Sequence, residues 1–206
     1  MIYRLPGNLV VRSRWRPYRA AAGERVLIVR AGGVFPPGHA STRLCLEMLA
    51  ESLVQRPGVR VLDVGCGSGI LALAAAALGA SGVVAVDISR RAVRMTRENA
   101  LGAPGPGNLT IIQGSTECLK GPFDLVVANL PPAVQMAKAE EFRRLTAPGG
   151  LLILSGFKDT QEEPLQSACD AAGWLCTQRR TRDAWAPELP PELSYTWTAW
   201  RLERRA

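Results

Sequence analysis

From residue 60 onward, short apolar runs alternate with longer stretches of helical pattern, and this alternation constrains the fold more than any other feature. RVLDV (60–64), VVAVD (83–87), LTIIQ (109–113), FDLVVANL (123–130) and LLILSG (151–156) read as strands buried on both faces. Between them, ILALAAAALG (70–79), SRRAVRMTRENAL (89–101, capped by Ser89) and AVQMAKAEEFRRL (133–145) read as helices. Thr160 and Glu163 are spaced as a capping box for a further helix running to Gly173. WLCTQRR and TWTAWRLER then close the chain as an antiparallel pair at the sheet edge. The expected class is α/β: a doubly wound, mostly parallel, Rossmann-like sheet of seven strands with an antiparallel C-terminal edge strand. In such sheets ligands bind beyond the carboxyl ends of the strands, where the strand order switches.

The first of those ends carries VLDVGCGSGI (61–70), in which Asp63 interrupts the apolar run and Gly65, Gly67 and Gly69 follow around Cys66. Glycines at a strand-to-helix turn permit positive φ and let a ligand approach the loop amides. A dinucleotide fingerprint would read G-x-G-x-x-G, placing pyrophosphate on a helix amino terminus. The spacing here is G-x-G-x-G, with an acid two positions ahead that would repel pyrophosphate and suit a ligand bearing an ammonium group. That contrast favours S-adenosylmethionine over NAD. Asp87, 22 residues after Gly65 at the end of the next strand, is placed to take both ribose hydroxyls. Ile88 can pack on adenine, and Ser115 in GSTE (114–117) stands where an acceptor for the adenine amine is expected.

These stretches, with PGGLLILSGF, resemble the class I S-adenosylmethionine-dependent methyltransferases. Within that class the chain is most similar to the methyltransferases of ribosomal large-subunit protein eleven, the PrmA family. FPPGHASTRLCLEML (35–49) resembles that family's Phe-Gly-Thr-Gly-Thr-His-Pro-Thr-Thr block and the Leu-Cys-Leu that follows it. The resemblance covers roughly residues 25–175 and implies roles position by position. Thr42 would be the cofactor-binding threonine, Gly65 the glycine-loop contact, Asp87 the ribose-binding acid, and Asn129 the residue at the reacting end. The block is one residue shorter here, with two prolines in place of Gly-Thr, which implies a stiffer substrate mouth. The family also places a substrate-recognition domain ahead of the catalytic one, whereas only 34 residues precede Phe35. The expected organisation is a basic arm over 1–34 followed by a methyltransferase domain over 35–206.

ANLPP (128–132) ends the fourth strand of the alternating region. Methyl transfer is an in-line displacement whose rate comes mainly from positioning. The Asn129 side-chain carbonyl, with a backbone carbonyl beside it at Leu130, could accept two amine N–H bonds and aim the lone pair. Pro131 and Pro132 stiffen the turn. No aromatic follows to stack on a planar acceptor, so the loop suits an aliphatic amine, a lysine or an α-amine. Such an amine must lose its proton before it attacks. No dedicated base is visible. His39, the only histidine, lies in the Pro/Gly loop and reads as structural more readily than catalytic, and no metal-ligand spacing occurs.

Composition sets the outer limits. Residues 1–34 hold seven arginines against one acid, Glu24, so +6 of the net +7 lies there. RSRWRPYR interleaves Trp15 and Tyr18 with arginines, a pattern that can clamp phosphate and stack bases. No run of eighteen apolar residues exists, so no membrane partner is expected. Five cysteines without a Cys-x-x-Cys pair read as buried free thiols of a reducing compartment, the cytoplasm. The expected function is methyl transfer from S-adenosylmethionine to a protein amine, with a ribosomal protein as the candidate substrate. Two alternatives stand beside it: a methyltransferase for a small amine or RNA, and a non-catalytic cofactor-binding assembly factor that contacts RNA through residues 1–34.

Overall fold

The computed structural model describes residues 1–30, 36–184 and 194–205. Two sheets organise the chain. The smaller joins β1 (Ile2–Leu5), β2 (Leu9–Ser13) and β3 (Arg25–Val29), with β1 antiparallel and β3 parallel to β2. The larger has seven strands: β4 (Arg60–Val64), β5 (Gly82–Asp87), β6 (Leu109–Gln113), β7 (Phe123–Asn129), β8 (Thr146–Lys158), β9 (Trp174–Asp183) and β10 (Thr196–Arg204). Their order is β6-β5-β4-β7-β8-β10-β9. The first five are mutually parallel, and β10 lies antiparallel between β8 and β9, completing the expected C-terminal edge pair. After β4 the chain steps outward to β5 and β6, then returns to β7 on the other flank of β4. The switch in strand order therefore falls between the ends of β4 and β7.

The central strands bury both faces because alternate residues enter different cores. Val61, Val83, Ala85, Leu125, Val127 and Ile153 face one core with α1 (Ala40–Gln55) and α2 (Ile70–Ala77). Leu62, Val64, Val86, Val126, Ala128, Leu152 and Leu154 face the other. That second core also takes Phe142 and Leu145 of α5 (Ala139–Leu145) and Leu165 and Cys169 of α6 (Glu162–Ala171).

Three local expectations change. The helix expected over 133–145 is two, α4 (Pro132–Ala137) and α5, broken at Lys138. The helix α6 starts at Glu162 with Gln161 before it, so Thr160 and Glu163 form no capping box. Cys118 is exposed and Cys176 half-buried, while Cys45, Cys66 and Cys169 are the buried thiols. Ser89 does cap α3 (Arg90–Ala100), its Oγ accepting from Ala92 N.

The basic amino-terminal residues are not a free arm. Leu9, Val11, Leu27 and Val29 join the core formed with α1 and α2. The Arg25 guanidinium donates to the Ala77 carbonyl at the end of α2 and to Gly7 O at 2.8 Å. Asn99 of α3 pairs with both the N–H and the carbonyl of Arg30 and also donates to Ser68 O at 2.8 Å, stitching the small sheet to the glycine loop. The expected boundary at 34/35, and Phe35 of the FPPGHAST block, lie outside the described residues. No helix among the described residues is long and apolar enough to cross a membrane.

Candidate active site

A cavity of about 1010 Å³ opens over the carboxyl ends of β4, β5, β6 and β7. Its walls include Gly65, Gly67, Asp87, Ile88, Ser115, Asn129 and Leu130. A smaller hollow beside it is lined by Thr42, Cys66 and Ile70 as well as Gly65, Gly67 and Asn129. Every expected site residue but Asp63 and Gly69 lines one of the two.

The three glycines serve three different needs. All have positive φ. A Cβ on Gly65 would run into the Leu130 side chain, and one on Gly69 into Thr96. At Gly67 a Cβ would meet nothing nearer than the Gly65 carbonyl at 3.9 Å, so its place is cavity space that a ligand can occupy. The loop amides, however, are turned inward. Gly65 N and Cys66 N both donate to Val86 O, Gly67 N to Asp87 Oδ2 at 3.0 Å, and Gly69 N to Cys66 O. The loop therefore offers close approach rather than the amide donors expected from sequence. With those four N–H groups already spent, the loop is less suited to pyrophosphate than to an uncharged or cationic ligand.

The two carboxylates expected to grip one ligand occupy different environments. Asp87 lines the cavity, and its Oδ1 accepts from Ser89 N at 2.8 Å, which leaves lone pairs on both oxygens facing outward. Asp63, 1% exposed, lies beneath the loop on the α2 side of β4. Its Oδ2 accepts from Ala72 N at 3.0 Å in the first turn of α2, while Oδ1 is buried with no hydrogen-bond partner. Burial pushes its pKa up to about 7 against the effect of the Ala72 N–H, with a smaller upward push from Asp87. Within the chain Asp63 fastens the loop to the helix from below, through Ala72 N, and its second oxygen is left without a donor. The same burial drives the Cys66 thiol up to about 12, and its Sγ lies 3.4 Å from Thr96 Oγ1, so it is a neutral packing group.

At the other end, Asn129 Nδ2 donates to Thr42 Oγ1 at 3.2 Å. Thr42 is buried within the first turn of α1, whose cap is His39, through Nδ1 accepting from Ser41 N. The His39 ring packs edge-on against Trp197 with centroids 4.3 Å apart, and burial lowers its pKa, so it stays neutral as a structural cap. Asn129 Oδ1 is buried beside Gly156 and receives no hydrogen bond. An acceptor left in that state costs about 1–3 kcal/mol, which a ligand N–H brought to the amide would recover. The Leu130 carbonyl differs from expectation, because Gln135 Nε2 donates to it at 2.5 Å and to Ser155 O at 2.7 Å. It is held as part of the wall, and Asn129 Oδ1 and the Gln135 Oε1 of that same amide are both buried oxygens without a donor, of which Asn129 is the one whose residue lines the cavity.

Sequence reasoning missed Gln135, Gly156 and Lys138. Gln135 is wholly buried yet sits in a helix of ordinary polar pattern, so nothing local marks it. Gly156 had a visible signal, a glycine closing the apolar run LLILSG. Its φ of +98°, with the Leu130 backbone and Asn129 Oδ1 where a Cβ would lie, shows that a side chain there would block the turn. Lys138 reaches from the break between α4 and α5 to Ser115 Oγ at 3.3 Å and to Glu117, which holds the Glu117 carboxyl down at about 2. Ser115 thus stands at the cavity wall already accepting one bond. Ile88, 77% exposed at the rim, offers an apolar face. Among the described residues no group of three His, Cys, Asp or Glu side chains could hold a metal ion.

The family profile described as ribosomal protein L11 methyltransferase (PrmA) matches residues 3–187. A ribosomal protein L11 methyltransferase from Pelotomaculum thermopropionicum is 42% identical over 86% of this chain and 58% of its own length. One from Syntrophotalea carbinolica is 39% identical over 90% of this chain and 61% of its own. The chain thus spans about six tenths of the curated relatives it matches. Among solved structures, a ribosomal protein L11 methylase from Lactobacillus delbrueckii subsp. bulgaricus superposes with a TM-score of 0.80 at 24% identity, covering 100% of this chain and 99% of that one. A magnesium protoporphyrin IX methyltransferase from Synechocystis PCC 6803, solved with bound SAM, gives 0.60 at 20% identity over 80% of this chain and 79% of its own. The two solved structures share the fold, and the profile match with the curated relatives decides the family: the chain belongs to the ribosomal protein L11 methyltransferase (PrmA) family.

Proposed function

We propose that this chain carries the methyl-transferring part of an S-adenosylmethionine-dependent N-methyltransferase whose acceptor is a lysine or α-amine of ribosomal protein L11. Family membership supports the reaction class. The observation that carries the nitrogen acceptor is Asn129 Oδ1, a buried acceptor with no donor, at the same cavity that Gly67 leaves open and Asp87 borders. Within that cavity Asp87 would take the ribose hydroxyls, Ile88 and Ser115 the adenine, and the face of Gly67 the close approach of the ligand. Thr42 fixes the Asn129 amide, so that Oδ1 rather than Nδ2 is the group left to the substrate. When bound, S-adenosylmethionine supplies the electrophilic methyl group. The chain's own contribution is to hold a neutral amine with one N–H on Asn129 and its lone pair aimed.

No side chain among the described residues stands ready at Asn129 as a proton acceptor: His39 is bound as a helix cap, and the Leu130 carbonyl is held by Gln135. The amine accordingly loses its proton to water before attack. With an unperturbed lysine near pKa 10.4, the single-turnover rate rises log-linearly up to about pH 9. The free thiols fit a reducing, cytoplasmic setting. Tritiated-methyl labelling of L11, total RNA and a lysate, run beside calorimetry with S-adenosylhomocysteine, tests the proposal. Label in L11 together with heat on binding supports it. Label in RNA or in small molecules alone moves the acceptor, and absence of heat removes the cofactor.

A further inference from the structure

In the small amino-terminal sheet, the turn after β2 is held by one side chain. After β2 the chain bends at 14–16, and the guanidinium of Arg12 gathers three carbonyls from it. Its Nη1 lies 3.2 Å from Ser13 O, 3.3 Å from Arg14 O and 2.8 Å from Arg16 O. The backbone is drawn inward, and the side chains of Arg14, Trp15 and Arg16 are directed to solvent. Trp15 is 87% exposed and stands between two exposed arginines, so its ring is presented among cations. The next segment is pinned as well: Glu24 accepts from the Tyr18 hydroxyl at 2.6 Å and from Ala21 N at 2.8 Å. The one acid of this region is therefore spent internally, and Arg4 lies over the Tyr18 ring at 5.6 Å.

Five of the seven arginines of residues 1–34 consequently fall into two sets. Arg12 and Arg25 are structural, closing a turn and a helix end. Arg14, Arg16 and Arg19 are exposed, and no carboxylate among the described residues forms an ion pair with them. Arg14 already stacks its guanidinium 5.7 Å from the Trp15 ring, so the ring presents its remaining surface beside cations.

We infer that this turn is a binding surface for single-stranded RNA, with Trp15 stacking on a base and Arg14, Arg16 and Arg19 holding the flanking phosphates. A pre-shaped turn that carries one aromatic plane among unpaired cations matches the way single strands are held. A duplex hides its base faces from such a ring. A protein that itself binds RNA is basic, and these arginines would repel it, so charge favours nucleic acid over a basic protein partner. The inference does not depend on the methyl-transfer proposal.

The test uses the full chain and a fluorescein-labelled twelve-nucleotide oligo(A) RNA, read by anisotropy. Three or four phosphate contacts predict a loss of affinity of roughly 20- to 50-fold between 50 and 200 mM salt. Trp15→Ala is expected to weaken binding about tenfold or more, and Arg14→Glu with Arg16→Glu to abolish it. S-adenosylhomocysteine uptake measured on the same preparations reports whether each variant is folded, and it is expected to stay unchanged. Three results overturn the inference: no binding at 50 mM salt, Trp15→Ala binding as tightly as the parent, or polyglutamate competing as well as RNA. The last would reassign the turn to acidic protein segments.

Discussion

The glycine-loop end and the Asn129 end of the cavity close on different terms. At the first, the N–H groups of Gly65, Cys66, Gly67 and Gly69 find partners within the chain, and Asp87 uses an oxygen on each of two backbone amides. At the second, Thr42, Gln135 and Gly156 surround Asn129 and leave its Oδ1 without a donor. At the loop end the unanswered Asp63 Oδ1 belongs to a residue that lines neither hollow, and the loop offers the cavity shape; at the Asn129 end the unanswered oxygen belongs to a residue of the cavity wall. Pre-organisation therefore has two meanings in one cavity. Backbone hydrogen bonds fix where a ligand can lie, and one withheld hydrogen bond selects what can be presented to it.

That contrast breaks most visibly at Asn129. Asn129→Ala should lower the rate of methyl transfer by about 10²- to 10³-fold, while affinity for S-adenosylhomocysteine in calorimetry stays within about threefold. Equal losses in both measurements would show that the two ends are one unit.

Two glycine variants sharpen it next. Gly156→Ala forces a Cβ onto the Leu130 carbonyl at φ +98°, and should cost about 2–4 kcal/mol in denaturant unfolding. Gly67→Ala meets only open cavity, and should cost the fold about 1 kcal/mol while reducing cofactor affinity tenfold or more. A reversal of those two readouts would mean that Gly67, not Gly156, supports the protein and that the open face is not the ligand's.

The smallest effect concerns the loop's foundation. Asp63 is raised to about 7 in the folded chain from an ordinary unfolded value near 4. A carboxylate shifted in that direction supports folding only while protonated, so its contribution is full below about pH 4 and is lost as pH rises through 7. Asp63→Asn removes this titration. Its stability relative to the parent should therefore rise by about 2 kcal/mol between pH 5 and pH 8, or about 5 °C in melting temperature. A difference that is flat across that range would show that Asp63 keeps an ordinary carboxyl pKa in the folded chain.

How much of this could be read beforehand depended on whether a signal was local. The strands at 60–64, 83–87 and 123–129 are legible because interior strands of a covered sheet are mostly apolar, the edge strand at 109–113 because Leu109, Ile111 and Ile112 still pack inward, and the Ser89 cap because it serves an amide three residues away. Thr160 and Glu163 had the right spacing, yet the helix starts one turn position later because Asp159–Gln161 form a short 3-10 turn first. The break at Lys138 was hidden by an even helical pattern; its ammonium group bonds Glu117 and Ser115, 21 and 23 residues away. The amino-terminal arginines look alike in sequence, and only their partners separate those that hold the fold from those left exposed.

The amino-acid order by itself determined the α/β class, the glycine turn, the acid at 87 and the asparagine at 129, because each follows from short-range pattern and from chemistry carried by the residue. The tertiary structure alone decided that Asp63 lies under the loop, that the N–H groups of Gly65, Cys66, Gly67 and Gly69 are occupied, that Gln135 holds the Leu130 carbonyl, and that the strands at 2–5, 9–13 and 25–29 form a packed sheet. Those outcomes depend on which side of a strand faces a helix and on which donors arrive from distant segments. A hydrogen-bond partner set by how the chain turns, whether 5 residues away as Gln135 is from Leu130 or 20 as Asp87 is from Gly67, leaves no mark on the local sequence.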